Sequence, residues 1–149
     1  MQQILRPKHG VRGGQAGRAG GLVAIVVSIL WALTGAGTIV AGLNLWASGS
    51  AAGGWGGGWG ELLGVTIVAI GVAVVIAAVV GVVLGIRLMR DRGGVGPAVY
   101  FGLVAGASGV VLALDVFGET GPEPWALGVL LNVAACSVVT VLAIRSAAE

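Results

Sequence analysis

The side chains able to do chemistry in this sequence are few and far apart. There is one histidine, His9, and one cysteine, Cys136. A single cysteine forms neither an internal disulfide nor a cysteine-based metal cluster. Catalysis needs acid, base and nucleophile to converge, yet the polar residues are isolated and His9 lies in a Gly- and Arg-rich N-terminal segment. The expectation is a non-enzyme with no cofactor and no metal.

Two segments invite a functional reading and also have a plainer one. Gly-Gly-Trp-Gly-Gly-Gly-Trp-Gly, residues 53–60, superficially suggests a phosphate loop, but no Lys-Ser/Thr pair follows it. Trp55 and Trp59 fit an aromatic belt at headgroup depth, together with Trp46 and Trp125. The sharper alternative makes Trp55 and Trp59 a platform for a partner or a carbohydrate. The densest charge cluster holds Arg87, Arg90 and Arg92. Its simplest role is to fix topology, and its alternative role is to hold anionic lipid headgroups or a partner. Nothing points to nucleic acid.

Ionisable chemistry inside the apolar segments is almost absent. Asp115 is the one candidate, about a turn from the end of its segment, where it can reach the interface. Asn132, Cys136, Thr140 and Ala143 share one helical face. Asn is costly in hydrocarbon unless bonded, so this face should point inward, with Thr34, Thr38, Thr66 or a backbone carbonyl as the partner. It would be structural glue or, alternatively, a polar pathway.

Small residues supply the strongest pattern. Gly64, Gly71, Ala78 and Gly85 recur every seven residues, and Gly81 pairs with Gly85 as Gly-x-x-x-Gly. Gly102 and Gly106 form a second such pair, continued by Gly109 and Ala113, while Gly35, Thr38 and Gly42 offer a third face. Small side chains let helix backbones approach closely, and dispersion contacts then replace the hydrophobic force that lipid removes. These faces should pack the helices on one another, or leave a seam for another membrane protein or a second copy.

The elements that carry these residues are set by composition. Of 149 residues, 57% are hydrophobic and 9% charged, far below the ~25% charged of a soluble domain. Four apolar stretches, residues 21–45, 62–86, 97–117 and 125–144, each supply the ~20 residues that span a ~30 Å hydrocarbon core. Backbone amides in lipid must be satisfied within their own segment, which favours helices over open strands. The alternation of a membrane barrel is absent.

All eight cationic residues, Arg6, Lys8, Arg12, Arg18, Arg87, Arg90, Arg92 and Arg145, then fall on one side of four spans. With Asp91 and Glu149 that side carries +6. The other side, with Glu61, Asp115, Glu119 and Glu123, carries −4, which accounts for the net +2. By the positive-inside rule both termini are cytoplasmic. The first span is too long for the 7–15-residue core of a cleaved signal.

The expected protein is therefore all-α, with four transmembrane helices in an antiparallel bundle, N-in and C-in, in a cell membrane. Residues 1–20 are read as a disordered basic tail, 21–145 as the transmembrane domain and 146–149 as a short cytoplasmic tail. The Gly- and Trp-rich segment around 47–60 is read as a flexible outer loop, and 118–124 as a tight acidic turn. Glycine, alanine and valine richness hints at a bacterial genome. The functional expectation is a non-catalytic accessory, assembly or scaffold subunit acting through helix contacts. The alternative is a small homo-oligomeric channel, holin-like pore or uncoupled transporter.

Overall fold

The computed structural model describes residues 10–52, 54–90, 95–116 and 126–148, and everything described is helical apart from a turn at Arg90. The elements are α1 (Gly10–Ala52), α2 (Gly54–Met89), α3 (Val95–Val116) and α4 (Ala126–Ala148). Three of them contain segments long and apolar enough to cross a membrane: Gln15–Ala51, Gly58–Met89 and Ala126–Ala148. In α3 the apolar stretch is the shorter Val95–Val111.

Glycine costs up to ~1 kcal/mol in a helix in water, yet α1 and α2 are rich in it. Two effects offset that cost. In lipid an amide has no partner except its own helix, and a glycine that faces another helix gains contact area from the close approach. Hydroxyls are absorbed in the same way: Thr34, Thr38, Thr66 and Ser137 each donate to the carbonyl four residues back, at 2.7–2.9 Å. At the end of α2 the Arg90 amide is shared between the Ile86 and Arg87 carbonyls, both at 3.2 Å.

Helix boundaries differ from the sequence expectation in two places. α1 is already helical from Gly10, inside the segment read as a disordered tail. Gly17, Gly20 and Gly21 are buried there, and a Cβ on Gly20 would stand 3.2 Å from Leu88 and 3.0 Å from Leu142. The contacts of this stretch supply order that its composition does not suggest. Residues 47–52 and 54–60, read as a flexible loop, are helical too. There a Cβ on Gly49 would come within 2.9 Å of the Gly60 backbone, so the glycines mark close approach between helices.

Two compact units divide the chain, Met1–Val27 with Val83–Glu149, and Ser28–Val82. The first holds α3, α4 and the adjoining ends of α1 and α2. Its buried side chains include Ala24, Leu88, Phe101, Cys136, Val139 and Ala143. Phe101 meets Tyr100 edge-to-face, with centroids 5.1 Å apart. The second unit consists of α1 and α2 segments, and among the described residues its fully buried side chains are Ser28 and Ala78.

Candidate helix-packing seams and polar interface

Within the second unit, glycine meets backbone. A Cβ on Gly35 would lie 2.9 Å from the Gly71 carbonyl oxygen, and one on Gly42 would lie 2.8 Å from that of Gly64. The reciprocal positions are equally tight, with Gly64 2.6 Å from the Trp46 amide and Gly71 2.9 Å from that of Ile39. Real Cβ atoms do not approach backbone this closely, so only glycine fits. The α2 partner number falls by seven as the α1 number rises by seven. Extending that arithmetic pairs position 28 with position 78, and Ser28 and Ala78 are both 0% exposed.

The first unit carries a contact of the same kind. A Cβ on Gly21 would stand 2.6 Å from the Gly85 oxygen, and one on Gly85 would stand 3.0 Å from the Gly21 oxygen. In α1 the small residues therefore recur as Gly21, Ser28, Gly35, Gly42 and Gly49. The sequence reading found the period in α2 but took only Gly35, Thr38 and Gly42 from α1. Gly21, Ser28 and Gly49 lie at the same seven-residue spacing, which is the signal that would have revealed them. Thr38 is half-buried and bonds within α1, and Gly81 is buried.

The α3 small-residue face behaves differently. Gly102 is in ordinary contact with Thr140, 3.6 Å from its Cγ2 to the ideal Cβ. Gly106 and Gly109 have nothing within 4 Å of that position, and Ala113 is exposed. A side chain there would enter open space.

Between α3 and α4 the polar groups find one another. Asn132 Nδ2 donates to Ser108 Oγ at 3.0 Å, and the buried Cys136 thiol faces Asn132 Oδ1 at 3.7 Å. Thr140 Oγ1 donates to the Cys136 carbonyl at 2.8 Å. The expected partners of Asn132 are Thr34, Thr38, Thr66 or a backbone carbonyl; Ser108 on α3 is a partner outside that set. Ser108 is the one Ser or Thr in 97–117, which is the signal that singles it out among the glycines of that helix. Among the described residues every buried side-chain nitrogen and oxygen has a hydrogen-bond partner.

The remaining candidates sit apart from these contacts. Arg87, Arg90 and Trp59 are exposed. Asp115 lies in α3 and Trp55 in α2, but their side chains fall outside the described set, and Arg92 lies outside the described residues altogether. No group of three His, Cys, Asp or Glu side chains that could hold a metal occurs among the described residues. No protein-family model, curated protein or solved structure matches the chain.

Proposed function

We propose that the chain is a non-catalytic subunit of the cell membrane that works through helix contacts, engaging a second membrane polypeptide along α3. The observation that carries this reading is the contrast between two glycine faces. Gly35 and Gly42 are consumed by backbone contacts within the chain, whereas Gly106 and Gly109 meet nothing within 4 Å. In lipid, small residues on a helix surface matter where another helix approaches, and among the described residues no atom lies within 4 Å of a Cβ on either glycine.

The placement that goes with it is a four-span antiparallel bundle with both termini cytoplasmic. The falling partner numbers along α1 and α2 support opposed helix directions. Spacing along each helix supports the depth. Along α1, 28 residues separate Arg18 from Trp46, and along α2, 28 residues separate Trp59 from Arg87. At ~1.5 Å per residue each interval is ~42 Å, matching the ~40–45 Å from one headgroup layer to the other. Indole rings favour that layer on either side, and arginines favour the cytoplasmic one.

A pore reading draws less support, because the Asn132 face is occupied by bonds to Ser108 and Cys136 within the chain.

Purification of the full chain from its native membrane in mild detergent, with and without cross-linking, should recover a stoichiometric partner. Gly106→Leu should abolish that recovery while leaving helix content intact. A lone monomer from the unaltered chain, or unchanged recovery with Gly106→Leu, contradicts the reading.

A further inference from the structure

Three helices place arginines at one end of the first unit. Gly20 of α1 is the hub, since a Cβ there would meet Leu88 of α2 at 3.2 Å and Leu142 of α4 at 3.0 Å, and one on Gly21 would meet Met89 of α2. Arg18 lies two residues from Gly20, Arg87 and Arg90 adjoin Leu88 and Met89, and Arg145 lies three residues from Leu142. Each is thus within about one helical turn, ~4.5 Å of rise, of the hub. All four are exposed. The only carboxylate whose side chain is described, Glu61, belongs to the other unit. In the sequence, Asp91 and Glu149 are the acids nearest this end, against eight cations.

We propose that this end of the unit is a seat for anionic phospholipid headgroups. Guanidinium groups bind phosphate through paired N–H donors and stay charged at every physiological pH. Arg87 and Arg145 occupy the last turns of α2 and α4, where a cation also complements the helix dipole; that local role leaves their exposed donors available to phosphate. The helices themselves argue for lipid rather than an acidic protein. Exposed apolar side chains such as Leu22, Val83 and Ile144 lie within a few residues of the arginines, so one molecule with a phosphate head and acyl chains satisfies both. Arginines contributed by three helices suit a headgroup with two phosphates better than one with a single phosphate.

Native mass spectrometry of the full chain in detergent, titrated with diphosphatidylglycerol, phosphatidylglycerol, phosphatidylcholine and soluble glycerol phosphate, tests this. Diphosphatidylglycerol should bind best, phosphatidylglycerol next, and phosphatidylcholine and glycerol phosphate weakly. The Arg87→Gln, Arg90→Gln and Arg145→Gln changes should each weaken diphosphatidylglycerol about fivefold, the ~1 kcal/mol that one cation contributes near an anionic surface. Raising salt on the unaltered chain should weaken it as well, independently of any variant's folding. Equal binding of phosphatidylcholine, or salt-independent binding, would overturn the proposal. Tight binding of glycerol phosphate alone would reassign the arginines to a free phosphate.

Discussion

At the residue scale, what matters is whether a Cβ has room. Alanine at Gly42 would place a methyl 2.8 Å from the Gly64 oxygen and the Val68 amide. Because backbone cannot move aside as a flexible side chain would, Gly42→Ala should destabilise the protein by ~1–3 kcal/mol, the range for overpacking. Gly106→Ala adds its methyl to open space and should be neutral or stabilising by up to ~1 kcal/mol, through helix propensity. Unfolding of both variants in mixed micelles checks the contrast, and equal effects would refute it. Asn132→Ala removes the bond to Ser108 and should cost ~0.5–2 kcal/mol. A double-mutant cycle with Ser108→Ala isolates the pair, and a coupling energy of zero would show that the contact contributes nothing. The seven-residue glycine period is visible in the sequence. The same spacing runs through Ser28 in α1, but that Ser108 accepts from Asn132 is not visible there, because which helix faces which depends on pairings between distant parts of the chain.

At the element scale, apolar runs made the helices legible, but helix ends were not. Residues 47–60 read as a loop because Gly and Ser favour turns in water. Between two closely approaching helices the same glycines permit contact, and Ser48 and Ser50 spend their hydroxyls on carbonyls of their own helix, at 2.8–3.1 Å. The N-terminal part of α1 carries the same kind of residue: in the sequence its glycines favour no structure, and in the fold Leu88 and Leu142 are set against Gly20. Amide hydrogen exchange should therefore be slow through residues 47–51 and 58–60. Exchange as fast there as in an unfolded peptide would restore the loop reading. α4, by contrast, ends within a few residues of the expected C-terminal bound, because Ala, Leu and Val dominate it and Asn132, Cys136 and Thr140 share one face.

At the scale of the whole molecule, glycine holds α1 to α2 and a polar cluster joins α3 to α4, while Gly106 and Gly109 of α3 face open space; on the function proposed above, that face receives another chain. Composition alone made the membrane class evident, because 9% charged residues cannot cover a water-facing surface. Function was less legible, since helix contacts use the same residues whether they join one chain or two. The central claim is that the arginine end and the tryptophan end lie on opposite faces of the membrane. Single cysteines introduced at Arg90 and at Trp59, in a Cys136→Ala background, can be probed in intact cells with a membrane-impermeant maleimide. The account predicts labelling at 59 from outside, and at 90 only after the membrane is opened. Labelling of both positions from the same side would contradict it.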